Sequence, residues 1–117
     1  MKKVYHLSTC DTNIRILKEL KLPNSFEKQE IKKEPITVKQ LEEMAALAGS
    51  YEALFSKRAK LYKERDLKNE NLNEEDFKRF ILEHYTFLNR PVIINDGEIF
   101  IGNSKKVVEA AIKSIHG

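Results

Sequence analysis

Apolar and polar residues recur with changing period along these 117 residues, and each change marks an element. Near the N-terminus Val4, Tyr5 and Leu7 form a short β-prone stretch across positions 3–8; β-branched and aromatic side chains suit a half-buried pleated surface. Past Thr9, Cys10, Asp11 and Thr12 the period lengthens. Ile14, Leu17 and Leu20 recur at spacings of three and Ile16 adds a fourth apolar position, which predicts a helix that Pro23 and Asn24 stop. A looser alternation from Phe26 to Ile31 predicts a second strand, broken by Pro35.

Local chemistry marks the next elements more sharply. Thr37-Val38-Lys39-Gln40 is a capping box, with Ile36 and Leu41 placed as a hydrophobic staple, so a helix is expected from Val38 to about Ala48, ended by Gly49 and Ser50. Tyr51 to Phe55 makes one more short helical turn. Asn73 repeats the device: its side chain caps a first turn of Glu74, Glu75 and Asp76, acidic residues that suit the positive end of the helix dipole, and Leu72 reaches Phe77. That helix runs to about His84 with Phe77, Phe80 and Ile81 inward. Val92-Ile93-Ile94 and Ile99-Phe100-Ile101 flank Asn95-Asp96-Gly97, which reads as a β-hairpin. Val108, Ala111, Ile112 and Ile115 then follow the spacing of a helix packed on a sheet.

The resulting order is βαβ, helices, ββα. It predicts an α/β protein with a thioredoxin-like fold, a single domain over residues 1–117 carrying a helical insertion at about 37–87. Composition agrees: 41% hydrophobic and 33% charged residues suit one modest core. No apolar run approaches the roughly 20 residues that span a bilayer, and no leader is expected ahead of Val4, so the expected location is the cytoplasm. One cysteine forms no internal disulfide, which fits a reducing compartment and makes any redox chemistry depend on an outside thiol.

Net charge is +3, too small by itself to argue for nucleic acid. Its distribution says more. Between Lys57 and Lys68 six basic residues (Lys57, Arg58, Lys60, Lys63, Arg65, Lys68) face two acidic ones, Glu64 and Asp66. Such a run is either a solvated face or a draw for an anion or acidic partner.

Cys10 is the leading candidate for chemistry. A thiol at a strand-to-helix junction meets free backbone N–H groups and the positive end of the helix dipole, and in such settings a cysteine pKa falls from about 8.5 to roughly 3.5–7.5. Asp11 opposes that shift unless it turns away to cap the helix. The alternative is a buried, inert thiol acting as a small hydrophobe; the polar flanks favour the reactive form. Asn89-Arg90-Pro91 opens the third strand, where a proline's missing N–H costs no ladder bond, and Arg90 has the fork of donors that grips an oxyanion or carboxylate. His6, His84 and His116 have no metal-ligand spacing, so no metal is assigned. His6 is expected to be a satisfied strand histidine, although an inward ring would approach Cys10. No phosphate loop, carboxylate pair or nucleophile elbow is present.

Three segments together resemble the arsenate-reductase and Spx family: Tyr5-His6-Leu7-Ser8-Thr9-Cys10-Asp11-Thr12, Leu54-Phe55-Ser56-Lys57-Arg58, and Leu88-Asn89-Arg90-Pro91-Val92-Ile93-Ile94, with Gly102-Asn103 before the last helix. The resemblance covers nearly the whole chain in order and spacing. It implies Cys10 as nucleophile, Arg90 in an anion pocket, Pro91 as a cis-proline facing the cysteine, and Thr9, Asp11, Thr12 and Arg58 around the bound substrate or thiol. In arsenate reductases the thiolate attacks arsenate, glutathione attacks the adduct, glutaredoxin resolves the product, and three arginines hold the oxyanion.

This chain departs from that set, with Ser56 and Asn103 at two of the arginine positions; a nearby Lys57 or Arg58 is not an equivalent clamp. Tyr85 also replaces the proline of the family's His-Pro segment. Cys-Asp-Thr with Ser56-Lys57-Arg58 looks closer to the glutathione-dependent thiol-reductase branch. The resemblance thus implies a monothiol oxidoreductase with glutathione as co-substrate and glutathione or glutaredoxin as partner, and no tightly bound cofactor. A monomer is expected by default, and charge and hydropathy lead to no expected contact with nucleic acid or membrane. The substrate stays open between arsenate and another oxidised compound. Two further readings stand beside it. One is a Spx-like transcription regulator that binds an RNA polymerase subunit without turnover, here lacking the Cys-x-x-Cys switch because position 13 is Asn. The other is a protein that holds glutathione without reaction.

Overall fold

A computed structural model describes residues 1–117. The chain forms two compact units: a discontinuous one, Met1–Glu34 with Arg90–Gly117, and an inserted one, Pro35–Asn89.

The first unit is built on four strands, β1 (Lys2–His6), β2 (Glu27–Glu30), β3 (Val92–Asn95) and β4 (Glu98–Ile101), in the order β2-β1-β3-β4. β1 runs parallel to β2 and antiparallel to β3, and β3 is antiparallel to β4. The parallel pair needs a crossover, supplied by α1 (Asp11–Leu20); α5 (Lys105–His116) follows β4. This is the thioredoxin-like α/β arrangement predicted from the element order. Alternation along β1 and β3 sends Val4 and Ile93 into one core with Ile16 and Leu20 of α1, Phe26, and Val108 and Ala111 of α5. Each side chain removed from water there contributes on the order of 1.5–3 kcal/mol. The hairpin turns at Asp96, whose φ of 56° is the left-handed conformation that Asp tolerates. Asn95 Nδ2 donates to Ser114 Oγ and Ser114 O, tying that hairpin to α5.

Two expectations need correction in this unit. Ile14 is exposed, and the inward face of α1 is Asn13, Ile16 and Leu20: the four-residue step from 16 to 20 and the three-residue step from 13 to 16 define one stripe, and Ile14 lies off it. His116 is the last residue of α5, where its Nε2 meets Leu20 O at 2.6 Å. The second strand is shorter than Phe26–Ile31 because Phe26 and Ile31 turn into the protein at its ends.

The inserted unit carries α2 (Val38–Ala48), α3 (Lys60–Glu64) and α4 (Glu74–Glu83) with three short 3-10 turns at Glu52–Leu54, Leu67–Asn69 and Tyr85–Phe87. Both capping boxes form: Thr37 Oγ1 accepts from Gln40 N while Gln40 Oε1 accepts from Thr37 N, and Asn73 and Asp76 reciprocate in the same way. α4 stops one residue early because His84 adopts extended backbone and its Nδ1 accepts from Thr86 N to cap the next turn. Phe55, Tyr62, Phe77, Phe80 and Phe87 form an aromatic core, with the Phe55 and Phe87 rings stacked 5.4 Å apart. Such pairs add about 0.5–1.5 kcal/mol beyond burial. No helix of the chain is long and apolar enough to cross a membrane.

Candidate functional site at one end of the sheet

The register of the first unit gathers its chemistry at one end. His6 lies opposite Glu30 at the C-terminal ends of β1 and β2, and Tyr5 lies opposite Val92, which opens β3. Pro91 therefore stands at the edge where β1 releases the loop to Cys10. Val92 pairs with Ile101, and Gly102 N–H donates to Pro91 O at 2.9 Å, so the segment leading into α5 begins at the same end. Gly102 has a φ of 96°, a left-handed conformation that glycine adopts without strain.

Cys10 is the N-cap of α1, with extended backbone (φ −98°, ψ 113°), and its side chain makes no capping hydrogen bond. Its N–H donates to Leu7 O at 3.2 Å and its carbonyl accepts from Ile14 N at 3.0 Å. The thiol is free and half-exposed. Because the sulfur is not committed to the helix end, the first N–H groups of α1, which have no intrahelical partner, can face whatever meets the thiol. Thr9 and Asp11 are exposed beside it and Thr12 is half-buried.

The loop carrying Cys10 is held from below. Asn13, 1% exposed, accepts Leu7 N–H at its Oδ1 at 2.9 Å. On the neighbouring edge the Glu30 carboxyl is pushed up by burial, yet donors from Lys32, Ser8 and Lys33 backbone N–H and the Ser8 hydroxyl outweigh this and hold it below the usual carboxylate range. The Glu30 carboxylate accepts from Lys32 N at 2.9 Å, on the strand end beside Ser8. His6 is not the satisfied histidine expected of it: its Nδ1 is buried and makes no hydrogen bond. Burial lowers the His6 pKa, Glu30 opposes, and Lys28 adds to the lowering, so the ring is favoured in its neutral form.

The Arg90–Pro91 peptide is cis, as the family resemblance implies. Pro91 is buried and Arg90 half-buried; Arg90 is engaged by other interactions, while its buried Nε makes no hydrogen bond. Thr9, Cys10, Asp11, Thr12, Arg90 and Pro91 thus all belong to the first unit. Arg58 belongs to the inserted unit, exposed in the turn after Phe55, and Ser56 there donates its N–H to Phe87 O. Asn103 is exposed just before Ser104, which caps α5 by accepting from Val107 N. No group of three metal-ligating side chains is gathered anywhere in the chain.

Asn13 and Glu30 were not among the residues expected at the site. Asn13 carried a signal, a polar residue in register with Ile16 and Leu20 on the buried stripe. Glu30 carried none, since its role comes from strand pairing.

No curated protein matches the chain in sequence. Solved structures match it along almost its full length. A Bacteroides fragilis protein related to the ArsC family superposes with a TM-score of 0.78 at 19% identity, covering 94% of this chain and 96% of that one. The arsenate reductase from Vibrio cholerae superposes at 0.74 and 19% identity, over 96% and 97% of the two chains. An arsenate reductase (ArsC) related protein from Brucella melitensis gives 0.70 and 19%, over 93% and 92%. At such identities the likeness is one of fold. The sequence profile of the ArsC family adds the rest, matching residues 5–111 and so running from β1 through the Cys10 loop and Arg90–Pro91 into α5; the chain belongs to the ArsC family.

Proposed function

We propose that this ArsC-family chain is a monothiol oxidoreductase, working in the reducing cytoplasm as a monomer, with Cys10 as nucleophile and glutathione, alone or with glutaredoxin, as the resolving thiol. The observation that carries the reading is the placement of an uncommitted, half-exposed Cys10 sulfur at the N-terminus of α1, at the sheet end that also bears Arg90 and cis-Pro91. The Cys10 thiolate attacks one sulfur of an oxidised substrate, forming a mixed disulfide and expelling the other sulfur as a thiolate. A glutathione thiolate then attacks the mixed disulfide, leaving as a new disulfide with the substrate thiol and returning Cys10 as thiolate. The absence of a second cysteine makes the external thiol obligatory. Arg90 holds the anionic portion of the incoming molecule, with Thr9, Thr12 and the α1 N–H groups around the reacting sulfur.

Ser56 and Asn103 at two arginine positions favour a disulfide over arsenate as substrate, because three cationic forks suit a compact tetrahedral oxyanion and fewer do not. The test is alkylation by iodoacetamide at neutral pH in the folded and the urea-unfolded chain, then mass spectrometry after exposure to oxidised glutathione, with Cys10→Ser as control. Faster alkylation in the folded state and a single glutathione adduct at Cys10, released by reduced glutathione, are expected. A thiol slower when folded, or an adduct that glutathione does not release, sinks the reading.

A further inference from the structure

The inserted unit holds a chemical surface of its own. Asp66, between α3 and the 3-10 turn at Leu67–Asn69, adopts a left-handed conformation, φ 53°, and both its carboxylate oxygens accept from Asn69 Nδ2, at 2.7 and 2.8 Å. That turn folds the chain back so that Lys63, at the end of α3, and Lys68, in the following 3-10 turn, line one open cleft with Lys57, Tyr62 and Asp66. The cleft encloses about 420 Å³. Charges around it are sorted: Lys60 pairs with Glu64, Arg65 with Glu83 and Lys57 with Glu52, while Lys63 and Lys68 make no ion pair. Two uncompensated ammonium groups and a phenol thus share a concave surface, and the one carboxylate in its lining is committed to Asn69.

We propose that this cleft is a binding site for a small multivalent phosphate, of the pyrophosphate or polyphosphate class. The lining contains lysines and no arginine. Ammonium groups act as compact point charges that suit a phosphate's several oxygens, whereas planar carboxylates are matched best by the guanidinium fork. Two unpaired cations call for more than one negative charge on the ligand, and concavity favours a compact ion over an extended acidic chain. Tyr62 offers a hydroxyl donor to a further oxygen, and its ring packs edge-to-face with Phe55, centroids 5.7 Å apart.

The probe is inorganic pyrophosphate, titrated into the full chain while backbone amide resonances of residues 57–69 are followed, with sulfate at matched ionic strength and a poly-glutamate peptide as comparisons. Saturable shifts confined to this segment, with pyrophosphate binding more tightly than either comparison, are expected. The double variant Lys63→Gln/Lys68→Gln weakens that binding about tenfold, given a few-fold for each exposed ion pair. The charge-matched control Lys39→Gln/Lys113→Gln, at exposed lysines elsewhere, leaves it unchanged. Equal affinity for sulfate, or equal loss in the control, reduces the effect to general charge attraction and overturns the site. Tighter binding of poly-glutamate overturns it in favour of an acidic protein partner.

Discussion

Asn13 Oδ1 accepts the Leu7 backbone N–H at 2.9 Å, and this buried bond fixes the loop from which Cys10 enters α1. The position three residues after the cysteine, occupied by a second thiol in a Cys-x-x-Cys pair, is used here for architecture. Leu7 O in turn receives Cys10 N–H, so one residue is held through both its backbone groups.

Asn13→Ala leaves the Leu7 N–H buried without an acceptor, a loss of roughly 1–3 kcal/mol. An unfolding free energy lowered by that amount, read from a lower urea midpoint, is expected, together with slower Cys10 alkylation as the loop loosens. An unchanged midpoint would show that the bond contributes nothing net.

The inserted unit depends on helix ends that a single atom holds. Thr37→Ala and Asn73→Ala each remove a side-chain acceptor from a capping box and are expected to cost about 1 kcal/mol apiece, within a range of about 0.5–2. Because α2 and α4 begin at separate sites, the double variant should lose close to the sum. Glu74 adds a further tie, its carboxylate accepting from Tyr51 N and Glu52 N, so Glu74→Ala should lower thermal stability further than Glu75→Ala.

His6 makes stability depend on pH in a definite direction. Burial holds its folded-state pKa below the ordinary value of 6.5, so the unfolded chain takes up a proton that the folded chain resists. Stability therefore falls as pH drops through 6.5 and continues to fall until the folded ring also protonates. The carboxylates with lowered values, Glu30, Asp76 and Asp96, act in the same sense only at lower pH, near the usual carboxylate range. Urea midpoints between about pH 7.5 and 5.5 isolate the histidine. His6→Asn is expected to flatten the decline in that window, and an unflattened profile would assign it to another group.

These residues show what could be read from sequence and what could not. The α2 and α4 boundaries, the hairpin around Asp96 and the element order rest on interactions within a few residues, and Thr37, Asn73 and Gly49 announce them locally. α3 and the 3-10 turns at Leu67–Asn69 and Tyr85–Phe87 were not foreseen, because the charged run from Lys57 to Lys68 has no clear apolar period. Their order comes from Phe55, Phe77, Phe80 and Phe87 meeting across more than thirty positions. At the site, Cys10 and Arg90-Pro91 were legible as motifs. The approach of Glu30 to the end of β1, opposite His6, was not, since a strand register sets it.

Arg90 gives the sharpest test of how the proposed thiol chemistry chooses its partner. If its guanidinium holds a carboxylate of the incoming disulfide, Arg90→Gln weakens that contact without altering the Cys10 loop, which Asn13 holds independently. Hydrogen bonds to charged groups contribute roughly 1.5–3 kcal/mol, and a half-buried site sits at the lower end, so exchange with oxidised glutathione should slow about tenfold. Exchange with the uncharged disulfide of 2-mercaptoethanol, which offers Arg90 no anion, should change less than about twofold. Stopped-flow rates for both disulfides on the variant and the parent chain give the ratio directly. Equal slowing with both would mean that Arg90 shapes the thiol's surroundings and not substrate choice.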